Sequence, residues 1–232
     1  MQNKSSLVNL YGLSPYHSGK RTHSIDRITP HCFVGQVSAE RIAREFQKAG
    51  KNASCNYGIA SDGRVVLVVD ESYRSWCSSS NANDQRAVTI ECASDNKAPY
   101  TFNNVVFNKL IELCVDICKR NNKNRLIWIN DKKTALSYAP KDNEMLLTVH
   151  RWFANKACPG EWLMQRMSLL ADEVTKRLNN YEDVKMYHTV KKGDTLYAIC
   201  KMYSITMKTL LSLNPGIVNP NLIIPGQEVR VR

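Results

Sequence analysis

Apolar positions along the chain alternate between short runs of period two and longer stretches of period three to four. Residues 25–33 read as a strand, with Pro30 an oddity that a strand tolerates at an edge or bulge. Ser38 is placed to cap a helix running to about Lys48, with Ile42, Ala43 and Phe46 on one face. Residues 56–59 and 65–69 are β-rich and flank Ser61-Asp62-Gly63, an Asp-Gly hairpin signal. Residues 64–70 are too apolar for a strand wet on one face, so they belong inside a sheet. Residues 78–86 form a polar loop and 87–91 a strand. Residues 103–119 carry Val106, Leu110, Leu113, Cys114 and Ile117 at helical spacing. Residues 125–129 read as a strand, 148–151 as a brief one, and Pro159-Gly160 opens a helix reaching about Leu178. Residues 1–24 hold few apolar positions and read as an irregular arm. Strands interleaved with helices imply an α/β fold, a mixed central sheet flanked by helices.

Asn179-Asn180 ends that pattern. Residues 181–186 read as a charged linker, and 187–232 as a small β-α-α-β unit with caps at Thr195 and Thr206 and breakers at Pro215 and Pro220. The expected organisation is a catalytic-sized domain over 1–180, a linker over 181–186 and a small module over 187–232.

Composition narrows the class. The 232 residues are 43% apolar and 23% charged, which excludes disordered and fibrous chains. No apolar run approaches the roughly 18–20 residues that span a bilayer, so no transmembrane segment is expected. The first residues lack an apolar core after Lys4, so no signal peptide is expected and synthesis in the cytoplasm is. The net charge of +11 draws the chain toward polyanions. From Lys185 onward the net is +5, so the tail is the denser positive segment. No nucleic-acid motif accompanies the charge, so no nucleic-acid partner is expected. The eight cysteines include no CxxC pair and read as reduced, mostly core thiols.

His31, His150 and Cys158 are the candidate chemistry. Two imidazoles and a thiolate with a fourth position free are a catalytic-zinc donor set. His-x7-Cys spacing alone leaves buried structural residues equally open. Neighbouring blocks add to it: residues 14–32, ending Ile28-Thr-Pro-His31-Cys32; Ala53-Ser-Cys-Asn-Tyr57-Gly-Ile59; Arg86-Ala-Val-Thr-Ile-Glu91; and Val149-His150 through Lys156-Ala-Cys158-Pro159-Gly160. In order and spacing these resemble the zinc-dependent N-acetylmuramoyl-L-alanine amidases of the phage-lysin and peptidoglycan-recognition type, over roughly residues 14–178.

That resemblance implies a peptidoglycan-recognition-like fold and a Zn2+ cofactor held by His31, His150 and Cys158. It implies Tyr57 and Lys156 as catalytic helpers beside the metal and Glu91 near the reacting water, with the base role open between Glu91 and Tyr57. Trp76 is a candidate for the substrate groove or for burial. Cys32 is expected to point away from His31, since neighbours in a strand face opposite sides.

The tail holds Tyr187-His-Thr-Val-Lys-Lys-Gly193-Asp194-Thr195-Leu196, then Leu213-Asn214-Pro215, then Ile224-Pro225-Gly226-Gln227. It resembles a LysM module, which implies binding of N-acetylglucosamine-containing glycan through Gly193, Asp194, Thr195, Leu196, Asn214, Pro215 and Ile217. Asp194 and Thr195 also read as a helix cap.

Together these imply an endolysin-like peptidoglycan hydrolase, of phage or prophage type, that cleaves the amide between N-acetylmuramic acid and L-alanine at the bacterial cell wall. The alternative is a non-hydrolytic peptidoglycan receptor on the same fold. A cysteine peptidase pairing a thiol with His150 is separated from both by metal dependence. Host, peptidoglycan chemotype and oligomeric state have no signature in the sequence.

Overall fold

The computed structural model describes residues 4–179, 186–203 and 205–231. Of the expected linker, 181–185 lie outside the described residues. The chain divides into two compact units, Met1–Asn179 and Asn180–Arg232.

In the first unit the chain order is β1 (Val8–Tyr11), β2 (His17–Lys20), β3 (Arg27–Val34), α1 (Ala39–Gln47), β4 (Tyr57–Ile59), β5 (Val65–Leu67), β6 (Tyr73–Ser75), α2 (Asn81–Arg86), β7 (Ala87–Ser94), α3 (Asn104–Arg120), β8 (Arg125–Ile127), α4 (Lys132–Ser137), β9 (Glu144–Leu147), a 3-10 turn (His150–Trp152), α5 (Glu161–Met164) and α6 (Met167–Asn179). Seven strands form one sheet in the order β1-β5-β4-β7-β3-β9-β8. The β4–β5 hairpin is antiparallel and every other pair is parallel, so the sheet is mixed. β2 and β6 pair separately.

Helices cover both faces. α1 buries Ala39, Ile42, Ala43 and Phe46 and is capped by the Ser38 side chain on the Arg41 N–H. α1 packs on β1, β4 and β5, whereas α3 packs on β4 and β7 and against α6. Cys114 and Cys118 lie on α3's buried face, small apolar groups at helical spacing.

Several sequence expectations change. The arm over 1–24 contains β1 and β2, short strands whose partners lie some fifty residues on. The polar loop over 78–86 contains α2, capped by Ser80. The brief strand expected at 148–151 is instead β9 at Glu144–Leu147 followed by the 3-10 turn. The helix expected after Gly160 is broken into α5 and α6. Pro30 sits inside the sheet without disrupting it. The Ile28 carbonyl accepts from the Thr148 N–H on the β9 side, so the next even position, Pro30, also faces that side. β9 pairs β3 only at Arg27 and Ile28, so the donor that proline lacks has no ladder to serve.

The second unit contains β10 (Tyr187–Thr189), α7 (Leu196–Met202), α8 (Met207–Leu213) and β11 (Glu228–Arg230). β10 and β11 pair antiparallel. Val190, Leu196, Ile199, Leu210, Val229 and Val231 form its own small core.

Candidate metal centre and active site

The sheet register positions the site. His31 on β3 pairs with Glu91 on β7, which pairs with Gly58 on β4. Residues paired in a parallel ladder project to the same side. Gly58 faces α1, because a Cβ there would meet Ile42 at 2.5 Å. His31 and Glu91 therefore share that face. β9 ends at Leu147, and the 3-10 turn after it presents His150 beside them. The rings of His31 and His150 lie 5.0 Å apart. The loop that follows returns Cys158 to the same place, tied by the Arg151 N–H on the Cys158 carbonyl and the Arg151 guanidinium on the Ala157 carbonyl. Cys158 Sγ stands 3.3 Å from His31 Nδ1.

The three expected metal ligands are thus brought together, with ligand atoms within 4.8 Å of one another. His31 is 1% exposed, and its Nε2 is buried with no hydrogen-bond partner. Burial and the neighbouring His150 push its pKa down to about 3. Burial and Lys156 also lower that of His150. Both rings are held neutral at pH 7, the form that ligates a metal. Two neutral imidazoles and a thiol, converging with ligand atoms this close, fit zinc.

Glu91 lies 4.0 Å from His31 Nδ1 through Oε1, while its Oε2 is buried and unpartnered. Burial raises its pKa to about 7, against Lys51 and the Cys77 thiol, which lower it. Lys156 and Trp76 line, with His150, an open cleft of about 510 Å3. Trp76 is half-buried, donates its indole N–H to Ser18 Oγ at 2.6 Å and leans on Tyr16. Lys156 is exposed.

Tyr57 is the expectation that the geometry overturns. It pairs with Ile90, one register step from Glu91, and so projects from the opposite face. There it is fully buried. Its hydroxyl donates to Glu71 Oε1 at 2.5 Å and accepts the Ser5 N–H at 2.8 Å. Glu71 in turn holds the Arg120 guanidinium at the end of α3 through both oxygens, at 2.5 and 2.8 Å. Burial and the Glu71 carboxylate drive the phenol pKa upward, so this tyrosine is a fixed donor. Cys32 pairs with Cys92, one register step from His31 and Glu91, and so projects from the opposite side of the strand. The Cys32 thiol and burial push the Cys158 thiol well up. Beyond Ile28 the edge of β3 is free of β9, and the Cys158 loop reaches it there.

Sequence reasoning passed over Cys77, Ser79 and Asp84. Ser79 Oγ lies 3.0 Å from His150 Nε2, and Cys77 Sγ 3.9 Å from Glu91 Oε1. Asp84, 2% exposed, accepts the N–H groups of Cys77 and Ser78 and so sets their loop. Asn83 beside it bonds Thr29 on β3 and accepts from Thr148 after β9. The available signal was an unusual density of Ser, Asn and Asp over residues 78–84.

In the second unit, Asp194 accepts the Lys191 N–H at 2.8 Å and pairs with His188 at 2.7 Å. Thr195 caps α7, and Leu196 is 2% exposed in the core. The Asn214 amide is committed to the Leu210 carbonyl and to both backbone groups of Arg230. Ile217 packs on the small core. Gly193, at φ +95°, and Pro215 are exposed.

Comparison with known proteins places this geometry. The chain is 31% identical over 119 residues to a probable N-acetylmuramoyl-L-alanine amidase, AmiB, of Haemophilus influenzae, which covers 50% of this chain and 27% of that one. It is 32% identical over 111 residues to an endolysin of Bacillus phage PZA, covering 46% and 41%. The chain thus spans less than half the length of these relatives. A solved AmpD structure overlays 74% of this chain and 98% of its own with a TM-score of 0.53 at 16% identity, a likeness of fold. Residues 188–232 match the LysM domain family. Residues 21–161, more than half of the chain, match the N-acetylmuramoyl-L-alanine amidase family, and the protein belongs to it.

Proposed function

We propose that the protein hydrolyses the amide between N-acetylmuramic acid and L-alanine in peptidoglycan, with the second unit holding it to the glycan. The observation that carries this reading is the convergence of His31, His150 and Cys158 beside Glu91 at the end of an open cleft. His31, His150 and Cys158 would hold the zinc. A zinc ion there supplies Lewis acidity and brings the pKa of a bound water to about 7.

The chain's own groups do the rest. Glu91 Oε2 has no internal partner, so it is free to take a proton from the attacking water and return it to the leaving amine. With Tyr57 on the far face, the base role falls to Glu91. Lys156, whose charge acts on His150, stabilises the oxyanion of the tetrahedral intermediate. Ser79 orients His150, and Trp76 forms a wall against which the sugar or stem peptide packs. In the second unit the exposed Gly193, Thr195 and Pro215 remain for glycan, while Asp194, Leu196, Asn214 and Ile217 shape the loops that present them. An endolysin role, of phage or prophage origin, and action at the cell wall follow from joining such a hydrolase to a wall-binding module.

The test is mass analysis of cell wall digested with the protein. The expected products carry a new lactyl carboxyl and a free L-alanine amine, chelation abolishes them, and added zinc restores them. New reducing ends would identify a glycosidase instead. Binding to the wall without new termini would identify a receptor.

A further inference from the structure

Behind the His31, His150 and Cys158 trio a second donor set meets at the same histidine. His31 Nδ1 lies 4.0 Å from Glu91 Oε1, and Cys77 Sγ lies 3.9 Å from that same oxygen. The ligand atoms of His31, Cys77 and Glu91 all fall within 4.8 Å of one another. Bonds of about 2.0–2.3 Å in a tetrahedral zinc site separate ligand atoms by roughly 3.3–3.8 Å. Movements of about 1 Å or less bring this set to within bonding reach of one ion.

Two further observations point to a cation. Glu91 Oε2 is buried with no hydrogen-bond partner. A buried carboxylate oxygen left so costs its desolvation, and a cation removes that cost. Cys77 is also held in place: its N–H and that of Ser78 donate to Asp84 Oδ2 at 3.0 and 3.1 Å. The thiol's position is thus set by the link from its loop to α2. Sulfur and nitrogen beside a single carboxylate favour zinc or cadmium over magnesium or calcium.

We propose that His31, Cys77 and Glu91 form a second, inhibitory cation position that takes a thiophilic divalent ion in exchange for the catalytic one. The two sets share His31, so one ion cannot complete both. An ion in the inner position withdraws Glu91 from proton transfer and His31 from the outer trio. Its uptake releases the Cys77 thiol proton to solvent. The inhibitory consequence rests on the amidase reading; the binding itself does not.

Cadmium is the probe, because a cadmium–thiolate bond carries an ultraviolet charge-transfer band. The His150→Ala/Cys158→Ala variant, stripped of the outer pair, should take up one cadmium ion and show that band. Adding Cys77→Ala should abolish the band and weaken uptake by about tenfold or more. No band in the double variant, or an undiminished band once Cys77 is removed, overturns the proposal. A second measurement uses the unaltered chain and does not depend on those variants folding. Cadmium added to the one-zinc chain competes with zinc for the shared His31, so it should protect Cys77 from iodoacetamide, read by peptide mass, and slow hydrolysis of a soluble muropeptide as the cadmium-to-zinc ratio rises. In Cys77→Ala the slowing should need about tenfold more cadmium or higher, relative to that variant's own rate without cadmium. Equal alkylation of Cys77 with and without cadmium overturns the proposal. If the chain hydrolyses nothing, the band and the alkylation still report on the inner position, so the two readings fail separately.

Discussion

At the scale of single residues, the gathered trio was legible and the face that Tyr57 takes was not, for a reason of parity. His31, His150 and Cys158 are rare types embedded in recognisable blocks, and the fold gathers all three. Tyr57 lies in an equally recognisable block, but its side depends on the β4–β7 register, and a single step reverses a strand residue's face. No local pattern carries that information. Cys77 was missed because a cysteine in a polar loop has no period. Parity separates two variants. Tyr57→Phe removes a donor from the buried Glu71 and an acceptor from the Ser5 N–H. It should lower stability by about 1.5–3 kcal/mol and leave turnover of a soluble muropeptide nearly unchanged. Lys156→Ala should do the reverse: turnover falls about a hundredfold, the scale of one lost oxyanion donor, while the melting temperature holds. Paired thermal melts and initial rates decide it. A large rate loss in Tyr57→Phe without loss of stability would restore that tyrosine to the chemistry.

At the scale of elements, helices with a cap and a full apolar stripe were legible: α1 behind Ser38 and α3 behind Asn103. Strands β1 and β2, which lie in a stretch poor in apolar positions and pair some fifty residues on, were not. The same dependence on context sits at the start of α5. Gly160 has φ +87° and ψ 153°, a region essentially closed to other residues, and a Cβ there would meet the Pro99 carbonyl and Tyr100 Cβ at 2.8 Å. Gly160→Ala should cost about 1–3 kcal/mol of strain plus the clash. Being two residues from Cys158, it should also weaken zinc retention, read by dialysis against a chelator. Gly50, at φ +75° with open space around it, is the control, where alanine meets strain without collision. The second unit has its own element-scale test. His188, then the Lys191 N–H, holds the Asp194 carboxyl below its usual range. A depressed folded-state pKa stabilises above the unfolded value of about 3.9 and is lost as pH falls through the folded one. Amide protection along β10 and β11 should therefore drop below about pH 4. In Asp194→Asn it should start lower and lose that dependence. A pH dependence unchanged by the substitution would remove Asp194 from the account.

At the scale of the whole molecule, the chain forms two units that each close their own core. Among the described residues, the larger core gathers residues from Ile28 to Val174 and the smaller from Val190 to Val231. Every group assigned to the chemistry lies before Pro159, and the bonds given above for them are made within the first unit. Ending the chain at Asn179 should therefore leave turnover of a small soluble muropeptide nearly unchanged. On intact walls the outcome should differ. Tethering turns each encounter after the first into an intramolecular one, and effective concentrations from such links raise avidity by orders of magnitude. The shortened chain should thus lyse walls far more slowly at low enzyme concentration and approach the full chain as concentration rises. The +5 carried from Lys185 onward predicts how the gap responds to salt. Attraction to anionic wall polymers is screened over about 10 Å at 0.1 M, so the electrostatic part of the advantage should shrink with added salt. A part held by hydrogen bonds and packing on glycan should persist. Wall lysis and soluble turnover, measured for both chains across a salt series, separate these contributions. Parallel loss of both activities on truncation would mean that the second unit completes the catalytic fold, and the division at Asn179 would be structural only.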